Sequence, residues 1–175
     1  GAVNDVHCDF ASGGPAERQH RELAKRLGLS ECRLCLVNAW RNVGTKPVSA
    51  WPLAVCDASS VAQEDLVART TPENDNLIYA VLPSRRHRWY FFPEMQSHEV
   101  LLFKQLDTDL TAKCHVTPHT AFPLPTPGEA RESCEVRLGV YYDDQSTCTD
   151  ALLQLHRKGV GQVAKSVIDR ARPRL

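Results

Sequence analysis

What most limits the fold of this chain is a succession of short β-prone runs, each cut off by proline or glycine before it can lengthen. Residues 77–82, 88–92 and 100–104 are rich in Tyr, Val, Ile, Trp, Phe and Leu, and Pro83 and Pro93 interrupt the connections between them. Residues 114–122 and 133–142 follow, separated by Pro123, Pro125, Pro127 and Gly128. Upstream, residues 6–10 and 53–56 are short strand candidates. In residues 33–40, alternation puts Leu34, Leu36, Asn38 and Trp40 on one face and Cys35, Val37 and Ala39 on the other. About eight such segments with few helices predict a mainly β fold, a sandwich or jelly roll.

Helices play a minor part. Residues 16–27 read as a helix that starts at Pro15 and is closed by Gly28, with Leu23 and Leu27 on its apolar face. A brief helix capped by Ser59 or Ser60 runs toward Leu66, with Glu64 placed for a capping box. The last segment changes character. Residues 151–155 and 163–171 are helical stretches, and from His156 onward six Lys/Arg face one acid, Asp169. This predicts a helical basic tail over 145–175 appended to a β domain over 1–144. It reads first as a solvated appendage and second as a docking segment for a protein partner.

Composition narrows the function. A length of 175 residues suffices for one domain with a core. With 21 basic and 21 acidic residues the formal charge is zero, which argues against nucleic acid. No apolar run approaches ~20 residues, so no membrane span is expected. The visible N-terminus carries no signal peptide. The chain begins at Gly1 without an initiator Met, so an upstream segment is expected to be missing. Seven cysteines, an odd number without a secreted-domain spacing, predict free thiols in a reducing, cytoplasmic compartment. Cys32 and Cys35 lie in an apolar strand-like run with no second pair to complete a zinc site, and read as buried thiols.

The chemistry-bearing residues lie at the two ends of the β region. In Val6-His7-Cys8-Asp9, residues i and i+2 of a strand present an imidazole and a carboxylate side by side. A third ligand from another strand completes a facial 2-His-1-carboxylate triad with open positions. His115 and His119 both qualify by spacing, and position relative to Arg131 favours His119. Arg131 and Ser133, two apart, face the same way. A guanidinium with a neighbouring hydroxyl can hold a carboxylate bidentately. Arg137 lies further along that face. Each pattern alone is commonplace, but together, in this order, they match an Fe(II)/2-oxoglutarate oxygenase site.

The wider sequence resembles the AsaB-like (CmcJ-like) hydroxylase/desaturase family of secondary metabolism. The likeness runs in order through Val6-His7-Cys8-Asp9, Leu36-Val37-Asn38-Ala39-Trp40-Arg41, Pro52-Leu53-Ala54-Val55-Cys56-Asp57, His87-Arg88-Trp89-Tyr90-Phe91-Phe92-Pro93-Glu94-Met95, His98 to Asp107, Pro118-His119-Thr120-Ala121-Phe122 and Arg131 to Arg137. It implies a double-stranded β-helix (jelly roll) with a few flanking helices. It also implies Fe(II), with 2-oxoglutarate and O₂ as co-substrates, and hydroxylation or desaturation of a small molecule. His7, Asp9 and His119 match the metal ligands; Arg131 with Ser133 matches the co-substrate clamp. Asn38, Arg41, His87, Trp89, Tyr90 and Lys104 match family-typical positions, although an aromatic run such as Trp89 to Phe92 reads first as core. Family members carry a long segment ahead of His-x-Asp that supplies a barrel strand and substrate cover, which this chain lacks. Two alternatives stand beside this reading: a jelly-roll metal enzyme that does not use 2-oxoglutarate, and a truncated, non-catalytic homologue acting through its tail.

Overall fold

Strand β2, Arg33–Asn42, is central to its sheet, and its alternation sets the interior of the molecule. In the computed structural model Leu34, Leu36, Asn38 and Trp40 are all buried on its inner face. The structure describes residues 4–29, 32–72, 75–109, 111–112, 114–125 and 128–142. The predicted tail helices lie outside the described residues.

Among these residues there are nine strands: β1 (His7–Cys8), β2, β3 (Leu53–Cys56), β4 (Leu66–Thr70), β5 (Leu77–Val81), β6 (Trp89–Phe91), β7 (Leu101–Asp107), β8 (His119–Ala121) and β9 (Ser133–Tyr142). They form two antiparallel sheets, a six-stranded one in the order β4-β5-β1-β8-β3-β6 and a three-stranded one in the order β7-β2-β9. The sheets face each other as a jelly roll. Contacts such as that between the Phe103 and His119 rings, 5.0 Å apart, cross the interior.

Two apolar clusters fill the space between the sheets. One gathers Phe10, Ala24, Leu34, Leu36, Leu106 and Tyr141; the other gathers Trp40, Val48, Leu53, Met95 and Phe103. On β2 the buried Asn38 stands between them, and on β7 the buried Gln105 does the same. A polar layer therefore crosses the middle of an otherwise apolar core.

Helix α1, Pro15–Arg26, closes one end. Gly28, at φ 77°, ends it as predicted. The Gly28 and Leu29 N–H groups donate to the Lys25 and Ala24 carbonyls. Its buried face differs from the predicted one. Leu23 is exposed, and the contact stripe runs through Ala16, His20 and Ala24. Small residues let the helix lie close to β9, where His20 Nδ1 meets the Tyr141 hydroxyl at 2.8 Å. Gly139 is needed there, because a Cβ would come within 2.6 Å of the His20 ring.

Other elements also depart from expectation. Two 3₁₀ turns, Ala58–Ser60 and Gln63–Asp65, replace the helix predicted between Ser59 and Leu66. Their caps are carboxylates: Asp57 accepts from the Ser59 N–H and Asp65 from the Ala62 N–H. Strand β4 was not evident in the sequence because four of its five residues are exposed and lack a clean alternation. The aromatic run is not core. Trp89, Tyr90, Phe91 and Phe92 are exposed around the edge strand β6. Cys32 and Cys35 are buried free thiols, as expected.

Candidate metal centre

Strands β1 and β8 meet at a single pair, His7 opposite His119. Their rings lie 4.5 Å apart between centroids, on the inner face of the six-stranded sheet. Asp9, two residues beyond His7, turns the same way. Its Oδ1 lies 3.4 Å from His7 Nε2 and 3.7 Å from His119 Nε2. One ligand atom from each of the three residues falls within 4.8 Å of the others. His115, the other histidine weighed for the third position, is not among them.

The hydrogen bonds behind the ligands decide what these atoms can do. His7 Nδ1 lies 2.7 Å from the Asp5 carbonyl and His119 Nδ1 lies 3.3 Å from the Thr117 carbonyl. A ring N–H donated to a carbonyl fixes the tautomer and leaves the Nε2 lone pair toward the cavity. Two imidazole lone pairs and a carboxylate oxygen then converge on one point. That arrangement repels itself unless a cation sits there, and this donor set suits a divalent transition metal. The residues fit the iron site implied by the sequence.

Asp9 is held from several sides. Its Oδ2 accepts from Asn38 Nδ2 at 2.6 Å and from Arg137 Nη2 at 3.2 Å. Its N–H donates to Gln105 Oε1 at 2.8 Å, and its carbonyl accepts from Asn76 Nδ2 at 3.0 Å. Burial favours the protonated acid, but the His7 hydrogen bond, the His119 and Arg137 charges and the Asn38 amide outweigh it and hold the carboxyl well below the usual range. Burial pushes His119 down to about 4, which keeps its ring neutral and ready to ligate. His7 is also penalised by burial, yet the Asp9 hydrogen bond raises it; that bond needs a proton on Nε2, which a metal held by the two side chains would displace.

Arg131 and Ser133 line the same cavity of roughly 220 Å³ as the triad, together with Trp40, Glu135 and Arg137. The Arg131 guanidinium lies over the Trp40 ring at 4.9 Å, donates through Nε to the Trp51 carbonyl at 2.6 Å, and donates through Nη1 to Ser133 Oγ. Trp51 occupies the left-handed region at φ 49°, an uncommon conformation that turns its carbonyl toward Arg131. Among the described residues, Nη2 of Arg131 has no hydrogen bond. The loop leading into β9 is pressed onto the 44–51 loop at Gly128, where a Cβ would come within 2.2 Å of the Ser49 carbonyl.

Of the family-typical positions, Asn38 reaches the site and the others serve elsewhere. Arg41 donates to the Ser97 carbonyl, His87 pairs with Asp65, and Lys104 pairs with Asp107. Trp89 and Tyr90 line a second, larger cavity of roughly 470 Å³, bounded also by Val6, Thr120 and Phe122. Val6 and Thr120 adjoin His7 and His119, and Thr120 lines both cavities, but none of the three ligands lines the larger one. Gln105 and Arg137 had not been assigned a place in the site. A buried glutamine in an apolar strand was the available signal for the first, and same-face spacing from Arg131 for the second.

Known proteins resemble this chain in sequence and in fold. The family model described as oxidoreductase/YMDC permease-like domain matches residues 1–141. The hydroxylase/desaturase CTB9 of Cercospora beticola is 33% identical over 155 residues, covering 80% of this chain and 47% of that protein. The hydroxylase/desaturase asaB of Aspergillus flavus is 34% identical over 137 residues, covering 67% and 59%. Among solved structures, the iron and alpha-ketoglutarate-dependent endoperoxidase NvfI superposes with a TM-score of 0.68 at 28% identity, over 81% of this chain and 54% of that one. The chain thus spans about half the length of the curated relatives it matches.

Proposed function

This chain belongs to the oxidoreductase/YMDC permease-like domain family, and from that premise we propose that it holds the iron and 2-oxoglutarate of an oxygenase that hydroxylates or desaturates a small molecule. The observation that carries this reading is the convergence of His7, Asp9 and His119, with both imidazole Nδ1 atoms turned to main-chain carbonyls. The names of the relatives, hydroxylase/desaturase and iron and alpha-ketoglutarate-dependent, support it.

In this reading His7 Nε2, Asp9 Oδ1 and His119 Nε2 hold Fe(II). Arg131, with Ser133 beside it, holds the far carboxylate of 2-oxoglutarate by charge-assisted hydrogen bonds. When bound, the iron and 2-oxoglutarate supply oxidation of a substrate C–H group by O₂, with 2-oxoglutarate leaving as succinate and carbon dioxide. The protein's own part is positioning. Trp51 and Ser133 fix the guanidinium plane, and the Trp40 face stacks on it. Asn38 and Arg137 occupy Asp9 Oδ2, so that Oδ1 alone faces the two rings. Phe103 packs edge-on against His119 and keeps water from its buried side.

In this reading the catalytic unit is the β domain over 1–144, and residues 145–175, outside the described residues, carry a basic sequence. The free thiols of Cys8, Cys32, Cys35, Cys56, Cys114 and Cys134 support a reducing, cytoplasmic setting. Among the described residues no helix is long and apolar enough to cross a membrane.

The test is anaerobic titration of Fe(II) and then 2-oxoglutarate into the purified chain, read by the visible charge-transfer absorption of the chelated co-substrate. The band is expected in the native chain, absent in His119→Ala, and shifted to higher 2-oxoglutarate concentration in Arg131→Met. A folded chain that binds Fe(II) but never develops the band would favour a metal site that does not use 2-oxoglutarate.

A further inference from the structure

The metal ligands come from the six-stranded sheet, yet two fully buried side chains that grip them come from the three-stranded one. Asn38 on β2 and Gln105 on β7 are both 0% exposed. Asn38 donates to the side chain of Asp9 at 2.6 Å, and Gln105 accepts from its main-chain N–H at 2.8 Å. The other end of Gln105, Nε2, donates at 3.0 Å to the Thr117 carbonyl. That carbonyl also faces His119 Nδ1. One glutamine thus ties the Asp9 backbone to the group that orients the His119 ring.

The backbone is bent to make this possible. Leu36 pairs with Leu106 and Val37 with Lys104, which leaves Gln105 as the extra residue of a β-bulge on β7. A bulge re-aims a side chain that a regular ladder would turn elsewhere. Here it lets Gln105 and Leu106, neighbours in sequence, both be buried.

Asn38 shows the same priority in another way. Its Oδ1 is buried without a hydrogen-bond partner. Flipping the amide would set an oxygen against the Asp9 carboxylate. An unsatisfied buried acceptor costs stability, and here the cost secures a donor at Asp9 Oδ2.

We propose that Asn38 and Gln105 are positioning residues for the metal, a pair of neutral amides that aim Asp9 and His119 from the opposite sheet. The inference rests on the triad reading above. A neutral donor orients the carboxylate without adding to the positive charge that Arg137 already brings to Oδ2, and so leaves Oδ1 available to a cation.

The experiment uses the full chain and Co(II) as the probe. Dissociation constants come from calorimetry, coordination geometry from the visible absorption of bound Co(II), and apo stability from thermal melting. Asn38→Leu and Gln105→Met are each expected to weaken Co(II) by about 10- to 100-fold, as outer-shell partners of metal ligands do, and to change its absorption. Leu34→Ala, in the apolar cluster, is the comparison: it should lower the melting temperature and leave both Co(II) readouts unchanged. If one of the two amide variants fails to fold, the other decides, since they sit on different strands. The proposal is overturned if a folded amide variant binds Co(II) with native affinity and spectrum, or is weakened no more than Leu34→Ala. His119→Ala separates the two levels. Retained Co(II) binding there removes the triad reading itself, whereas loss there with native binding in Asn38→Leu removes only the amide pair.

Discussion

Asp9 and Asp107 are both buried carboxylates, and they are used in opposite ways. Asp107, at the end of β7, accepts from Arg33 Nε at 2.9 Å and Nη2 at 2.6 Å, from Lys104 Nζ at 2.6 Å, and from the Asp109 N–H at 3.0 Å. Burial works against its charge, but Arg33 and Lys104 prevail and hold it well below the usual carboxylate range. Both oxygens are filled by donors, on the permanent cations Arg33 and Lys104 and on the Asp109 main chain. Asp9 is also buried, but only Oδ2 is filled, by the Asn38 amide and one cation, Arg137; Oδ1 faces two imidazole nitrogens. A structural carboxylate has its charge cancelled by the chain, whereas this one keeps an oxygen open to a cation the chain does not supply. Burial and a depressed pKa do not tell the two apart; the chemistry of the partners does.

Substitutions can break that contrast, and the largest effect is expected at Asp9. Asp9→Ala should eliminate Co(II) binding in titration calorimetry while circular dichroism still reports a β fold. Arg131→Met comes next. It should leave Co(II) affinity native and weaken 2-oxoglutarate by about 10- to 100-fold, the worth of one charge-assisted pair. Asp107→Asn should do the reverse of Asp9→Ala, with Co(II) affinity unchanged and about 2 kcal/mol of stability lost in urea unfolding, below the full cost of a broken buried pair because Arg33 is partly exposed. The same carboxylate sets an acid limb. Its folded pKa is depressed, so its stabilisation is present above the unfolded value of ~3.9 and lost as pH falls toward the folded one. Unfolding measured from about pH 5 to about pH 2 should therefore be less steep in Asp107→Asn than in the native chain. The smallest effect belongs to Gly128→Ala. The Ser49 carbonyl forbids a Cβ there, and displacement of the Arg131 loop should raise the 2-oxoglutarate dissociation constant by roughly threefold, about 0.6 kcal/mol.

Much of this was legible in the sequence because period-two alternation carries both the fold and the ligand geometry. His7 with Asp9, and Arg131 with Ser133, could be assigned a common face from spacing alone, and β3 and β9 were placed to the residue. What escaped depended on contacts between sheets. The helix face was misjudged because Leu23 looks more apolar than Ala24, while close packing on β9 needs the smaller residue. The turn after β3 reads as a serine-capped helix because Ser59 and Ser60 both suit an N-cap, whereas Asp57, two positions before Ser59, takes the Ser59 N–H and starts a 3₁₀ turn instead. Gln105 was passed over because a bulge shifts the phase of β7, and no local pattern announces a bulge. The aromatic run of β6 was read inward, although an edge strand over an open cavity can leave Trp89 and Phe91 facing out.

The short strands beneath the ligands have a further consequence. β1 has two residues, β8 has three, and they meet at one paired position. Hydrogen bonding over so little length specifies register weakly, and a slip of one residue would trade His119 for Thr120 on the inner face. An ion gripped by His7 and His119 together would act as a clasp across the two strands, binding the correct alignment and no other. Free metal concentration would then set how firmly the barrel is zipped at this seam, and a chelator would loosen it before the apolar cluster around Leu34 and Leu106 gave way.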